Sequence, residues 1–147
     1  MSISHTQTEI LLVEDNPGDI RLAKEACSEF DIPIEIHVAK DGQEAITFLK
    51  QMELSTHVPH PHLILLDLNL PAFDGRDVLK FIKTHPTLKL IPVIILTTSK
   101  SDEDIVKSYE YHANAYVQKP VDLDGFIPMM QSLLKFWVHI VQLPDMQ

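Results

Sequence analysis

Three short, unbroken apolar runs constrain this chain most: Ile10-Leu11-Leu12-Val13, Leu63-Ile64-Leu65-Leu66 and Val93-Ile94-Ile95-Leu96. Each is too short for a helix, rich in leucine or branched residues, and continuous rather than alternating. That is the pattern of strands covered on both faces, as in a parallel sheet. Two weaker runs, Ile34–Ala39 and Ala115–Val117, fit as further strands. Helical spacing fills the gaps. Ile20, Ala23, Cys27 and Phe30 follow Asn16-Pro17, an N-cap with proline at the first helical position. Ala45, Phe48, Leu49 and Met52 follow Asp41-Gly42-Gln43-Glu44, which reads as a capping box with aspartate in the Ser/Thr place. Val78, Leu79 and Ile82 follow Asp74-Gly75; Ile105, Val106 and Tyr109 follow Ser101; and Phe126, Met130, Leu133, Leu134 and Trp137 form the last stripe, in a helix expected from about 123 to 141. The order βαβαβαβαβα implies an α/β fold with helices on both faces of a parallel sheet.

At 147 residues the chain fits one domain, and its 45% hydrophobic content excludes general disorder. Twelve Lys+Arg against twenty-one Asp+Glu give a net charge of −9, which argues against nucleic acid and against an anionic membrane surface as partners. Cys27 is the single cysteine, so an internal disulfide is impossible, and its place on a core face makes it a packing residue. The first eight residues lack a basic segment followed by an apolar run, and no stretch approaches the ~20 apolar residues of a membrane span. These features together predict a soluble, reduced, cytoplasmic protein. The prolines and polar residues of Glu53–Pro61 mark an irregular surface loop. Its histidines His57 and His60, with His62, could be imagined as metal ligands, but the proline-rich setting favours a solvated loop.

In open α/β sheets, ligands bind outside the carboxyl ends of the strands. There the first run ends in Glu14-Asp15, the third strand in Asp67, the fourth in Thr97-Thr98-Ser99, and the fifth is followed by Lys119-Pro120. Three carboxylates brought together repel, and a hard divalent cation such as Mg²⁺, with open positions for phosphate oxygens, removes the conflict. A carboxylate can itself take a phosphoryl group as an acyl phosphate, with metal and ammonium stabilising the transferred charge. Asp67 is the candidate nucleophile, Glu14 and Asp15 the metal-holding pair, and Thr97 and Lys119 the groups facing the phosphoryl oxygens.

The stretches Val13-Glu14-Asp15-Asn16, Leu65-Leu66-Asp67-Leu68-Asn69-Leu70-Pro71, Asp74-Gly75, Leu96-Thr97-Thr98 and Tyr116-Val117-Gln118-Lys119-Pro120 together resemble the receiver domain of two-component response regulators, over roughly residues 8 to 142. The resemblance implies a flavodoxin-like (βα)5 sandwich and a single receiver domain spanning 1–147. It implies that Asp67 accepts a phosphoryl group from a sensor histidine kinase. It further implies Mg²⁺ held by Glu14, Asp15, Asp67 and the Asn69 carbonyl, phosphoryl contacts from Thr97 and Lys119, a switch aromatic at Tyr116, and a cis bond before Pro120. Glu14 stands where many members carry aspartate, and Thr98 where a smaller residue is common. Ile10 through Asp19, Asp74-Gly75-Arg76 and the tail Phe136 through Pro144 look like cyanobacterial phytochrome response regulators, which pair with a light-sensing kinase.

Phosphorylation in such a domain draws the threonine inward, and Tyr116 rotates into the vacated space. That changes the face made by the fourth helix, fifth strand and fifth helix, with a coupling of ~1–3 kcal/mol. Phe136 and Trp137 in the apolar tail are candidate homodimer contacts; the alternative is a tail folded back on its own domain. No output domain is expected after the receiver, so output is expected through protein contact or phosphoryl relay. Competing readings are a Mg²⁺-dependent phosphohydrolase, disfavoured because Asn69 stands where a general acid is needed; an FMN carrier, disfavoured by Glu14-Asp15 in the phosphate loop; and a pseudo-receiver that binds partners without phosphorylation.

Overall fold

The computed structural model describes residues 7–55 and 60–144. Five strands, β1 (Thr8–Val13), β2 (Ile34–Ala39), β3 (Leu63–Leu66), β4 (Val93–Thr97) and β5 (Ala115–Gln118), pair in parallel in the order β2-β1-β3-β4-β5. Helices α1 (Pro17–Ser28), α2 (Gly42–Leu54), α3 (Gly75–Thr84), α4 (Asp102–Glu110) and α5 (Phe126–Leu134) alternate with them. The strong apolar runs are the three inner strands. The two weaker ones are the edges, which are only half-covered and need less apolar side chain.

The two-residue period of a strand divides each run between two cores. Leu11, Val13, Ile64, Leu66, Val93 and Ile95 pack with Ala45, Leu49 and Met52 of α2 and Val78, Leu79 and Ile82 of α3. Ile10, Leu12, Leu63, Leu65, Ile94 and Leu96 pack on the opposite face with Ile20, Ala23 and Cys27 of α1 and Phe126, Met130, Leu133 and Leu134 of α5. The three layers of the flavodoxin-like receiver fold are therefore present.

The helix starts are capped by the expected residues. Asn16 Oδ1 accepts from Asp19 N at 3.0 Å, Asp41 Oδ1 from Glu44 N at 2.8 Å, Asp74 Oδ1 from Arg76 N at 2.9 Å, and Ser101 Oγ from Asp104 N at 3.3 Å. The capping box of α2 is shifted by one residue, because Glu44 accepts from Lys40 N (3.0 Å) rather than from the cap itself. Gly75 opens α3 where the helix abuts the loop after β3. A Cβ there would collide with the Asp67 carbonyl and lie 2.7 Å from Leu68 Cα.

Four expectations are corrected. In α4, Ser108 is the buried residue, whereas Val106 and Tyr109, read as core, are 56% and 49% exposed. The C-terminal segment is not one regular helix. A 3-10 turn (Leu123–Gly125) precedes α5, and winding widens to a π-helical turn over Lys135–Ile140, with Val141 N donating to the Phe136 carbonyl at 2.9 Å. The wider turn rotates each residue less, so Val138, off the stripe in an α-helix, packs on the α1–α5 core beside Trp137. All peptide bonds among the described residues are trans, Lys119–Pro120 included, where the resemblance implied cis. Trans is favoured before proline by ~0.5–1 kcal/mol, and the trans chain already delivers the Lys119 side chain to the sheet edge. Helix α2 extends into the expected loop as far as Leu54, and His57 lies outside the described residues.

Two predictions follow from this packing. Gly75→Ala forces α3 off the β3 loop and is expected to destabilise the fold by about 1–3 kcal/mol, read as a lowered thermal midpoint; an unchanged midpoint refutes the close approach. Burial pushes the Cys27 thiol up from 9.0 to about 11. The native protein should resist a thiol reagent at pH 8 that labels the urea-unfolded chain at once. The linkage sign is that the unfolded thiol ionises first, so this group lowers stability as pH climbs from about 9 towards 11. Fast native labelling would contradict the burial.

Candidate functional site

The sheet order reverses direction at β1, and the crevice of such a fold opens beyond the carboxyl ends of β1 and β3. Ladder hydrogen bonds run one residue past the strands and fix the next residues in space. Glu14 N donates to the Ala39 carbonyl (2.9 Å), Asp67 N to the Val13 carbonyl (3.1 Å), and Lys119 N to the Thr97 carbonyl (2.7 Å). Glu14, Asp67, Thr97 and Lys119 are all buried; Asp15 is exposed.

The Lys119 ammonium reaches the centre of the site. Its Nζ lies 2.5 Å from Glu14 Oε1, 2.8 Å from Asp19 Oδ2 and 3.1 Å from Asp67 Oδ2, so its three N–H groups face three carboxylates. The carboxyl oxygens of Glu14, Asp15 and Asp67 lie within 4.8 Å of one another. Asn69 lies beside Asp67. Its peptide N donates to Asp67 Oδ1 (3.0 Å), and its side-chain amide donates to Thr97 Oγ1 (3.3 Å). The sheet thus brings together Glu14, Asp15, Asp67, Asn69, Thr97 and Lys119.

Four carboxylates against one ammonium leave the site short of positive charge. Burial, followed by the facing charge of Asp67, pushes the Glu14 carboxyl up to about 7 against the lowering pull of Lys119 and of the Asn16 peptide N–H. For Lys119, burial opposes the charge, but the bonds to Asp19 and Glu14 and the charge of Asp67 hold the ammonium above its ordinary value. An all-oxygen donor set with unmet negative charge suits a hard divalent cation, and Glu14, Asp15 and Asp67 are placed to hold one.

The expected switch aromatic lies outside this cluster. Tyr116 is half-buried, and its hydroxyl donates to the Ser99 carbonyl at 2.8 Å. Burial raises its phenol above the ordinary value. Around it runs a network that sequence reasoning missed. Ser99 Oγ donates to Asp104 Oδ2 (2.7 Å), Asp104 pairs with Arg76, and Arg76 returns to Asp74 Oδ1 at 3.1 Å. Asp19 was missed too, because an acid in a first helical turn reads as a complement to the helix dipole. Its only signal is its place one helical turn beyond Asp15. In the loop after β3, Ala72 has φ 64° inside a γ-turn in which Phe73 N donates to the Pro71 carbonyl (2.6 Å). That is strain of order 1–3 kcal/mol, held by Phe73 packing against Gly42 and the core.

Of the tail residues, Trp137 packs on the core while Phe136 is 50% exposed; their rings meet edge to face at 5.5 Å. His139 Nε2 lies 2.8 Å from Asp31 Oδ1, and its ring lies against Phe30, so the tail is fastened to the end of α1. His62 is engaged structurally, with Nδ1 accepting from Glu9 N at 2.9 Å. No helix among the described residues is long and apolar enough to cross a membrane.

Residues 10–131 match the family model described as the response regulator receiver domain. The chain is 46% identical over 135 residues to the response regulator Rcp1 of a Synechocystis species, covering 92% of each. It superposes on the Mn²⁺-bound form of Rcp1 with a TM-score of 0.88 at 45% identity, covering 94% of this chain and 99% of that one. Against the phosphorylated cyanobacterial phytochrome response regulator RcpA the TM-score is 0.90 at 43% identity, covering 95% and 100%. With its acids, hydroxyl and amine gathered at one sheet edge, this chain belongs to the response regulator receiver domain family.

Proposed function

We propose that this protein is a phosphoacceptor signalling protein that takes a phosphoryl group onto Asp67 from the phosphohistidine of a sensor histidine kinase. The observation that carries this reading is the convergence on the buried Asp67 carboxylate of Lys119, Asn69 and the Glu14–Asp15 pair. In the transfer, an Asp67 carboxylate oxygen attacks phosphorus, the histidine N–P bond breaks, and the imidazole leaves. Lys119 donates to a phosphoryl oxygen in place of Asp67 Oδ2. The Thr97 hydroxyl, now held by Asn69, donates to another. Glu14, Asp15, Asp67 and the Asn69 carbonyl would hold Mg²⁺, which would supply positive charge against the charge of the transferred group. The Mn²⁺-bound state of Rcp1 and the phosphorylated state of RcpA support this for relatives of similar length and the same fold.

The switch follows from the connections of Thr97. Ser99 N faces Thr97 Oγ1 at 3.5 Å, and the Ser99 carbonyl holds the Tyr116 hydroxyl. Motion of Thr97 towards a phosphoryl group therefore shifts the anchor of Tyr116 and reshapes the surface of α4, β5 and α5. The kinase is read as a phytochrome-type light sensor, from the likeness to RcpA, and the working place as the cytoplasm. The whole chain, 1–147, is read as one receiver domain, with its own phosphorylation and dephosphorylation as its only chemistry. Phe136 and Ile140, one turn apart and 50% and 61% exposed, offer an apolar strip for a homodimer, with Trp137 seated behind it.

Incubation with acetyl phosphate and Mg²⁺ is expected to add ~80 Da, one phosphoryl group, to the intact mass of the wild type. Asp67→Asn and a chelator should each abolish the adduct. No adduct on the wild type would favour a pseudo-receiver. Sedimentation at tens of micromolar should find wild-type dimers and a Phe136→Ala monomer; a monomeric wild type ends the homodimer reading.

A further inference from the structure

Lys119 has three N–H groups and three carboxylate partners, and the partners differ in what else is asked of them. Asp67 is the acceptor, and Glu14 belongs to the set that could hold a cation. Asp19 belongs to neither. Its carboxyl oxygen nevertheless lies nearer to Nζ (2.8 Å) than that of Asp67 does (3.1 Å). Its side chain is 17% exposed, at the mouth of the site rather than beneath it. Its backbone is held firmly. Pro17 starts α1, and Asp19 N donates to Asn16 Oδ1 at 3.0 Å, so the carboxylate projects from a capped helix rather than from a loop.

We propose that Asp19 is a positioning residue for Lys119. It pulls the ammonium outward, away from the acceptor carboxylate, and anchors it while it changes partner. This rests on the acceptor reading of Asp67. The geometry supplies the reason. An ammonium held only by Glu14 and Asp67 settles between them, ties up the nucleophilic oxygen and blocks the approach of a phosphoryl donor. A third carboxylate on the solvent side opposes that pull. Once phosphorus bonds to Asp67, Lys119 must release Oδ2 and meet an oxygen one bond further out. Asp19 lies on the solvent side and keeps its hydrogen bond through the exchange.

The test is the initial rate of phosphorylation by acetyl phosphate with saturating Mg²⁺. Here the P–O bond to acetate breaks as the bond to the Asp67 oxygen forms, and acetate leaves. Asp19→Asn keeps shape and removes charge, and should slow the reaction at least about tenfold, within the ~100-fold that an ångström of misplacement can cost. The separating readout is a double-mutant cycle. In a Lys119→Gln background, Asp19→Asn should have no further effect, whereas a merely structural role would slow both backgrounds alike. Thermal midpoints of the four proteins confirm that each is folded. A wild type that takes up the phosphoryl group while Asp19→Asn matches its rate, or equal losses in the two backgrounds, overturns the role of Asp19 and leaves the acceptor reading standing. A wild type that takes up none refutes the acceptor reading and this inference with it.

Discussion

The structure depends on one buried ammonium. Lys119 is almost wholly removed from water, which would be prohibitive for an unpaired charge; breaking a buried pair by removing one partner costs about 3–5 kcal/mol. It is tolerated because three carboxylates from two stretches of chain meet it. Those carboxylates in turn could not share so small a space without it. Parallel strands make the meeting possible. Each strand hands its last ladder bond to the next residue, so Glu14, Asp67 and Lys119 leave the sheet in register, at one edge and at fixed spacing. The apolar runs that build the two cores are thus also what aims the polar site.

How far this was legible varies with the physics involved. Inner strands could be read because burial on both faces demands continuous apolar residues, and the edge strands were weaker for the same reason. Glu14, Asp15, Asp67, Thr97 and Lys119 stood out because each lies at or just past the carboxyl end of an apolar strand, where such folds bind ligands. Asp19 did not, because an acid in a first turn already has an adequate local explanation. In α4, helical spacing of Ile105, Val106 and Tyr109 mimics a core stripe, but the helix seats itself on Ser108, whose hydroxyl donates to the Asp104 carbonyl at 2.7 Å. The π-helical turn could not be anticipated from hydrophobic period, since the change of winding is what sets the period there.

The contacts around Tyr116 show how the loop after β3 is joined to α4 and β5. From the loop that carries Asp67, the chain reaches Gly75, whose N donates to the Leu68 carbonyl at 3.2 Å, and the neighbouring cap Asp74 holds Arg76. Arg76 binds Asp104 on α4, Asp104 binds Ser99, and the Ser99 carbonyl receives the tyrosine hydroxyl. The hydrogen bonds of Asp104 with Ser99 and Arg76 hold its carboxyl below the ordinary value, so the link stays ionised at neutral pH. This route runs beside the one through Thr97 and joins the same end points.

A helix resting on a serine has little hydrophobic adhesion to its own protein. Burial of a large aliphatic side chain is worth about 1.5–3 kcal/mol, and α4 makes no such deposit among its buried residues, keeping Val106 and Tyr109 outside instead. Sliding or tilting this helix, whose Ile105 is only half-buried, therefore uncovers less apolar surface than the same displacement of α2 or α3, which would uncover a full apolar stripe. With so little apolar surface committed to the core, α4 is the helix that a small chemical event at the sheet edge displaces at least hydrophobic cost.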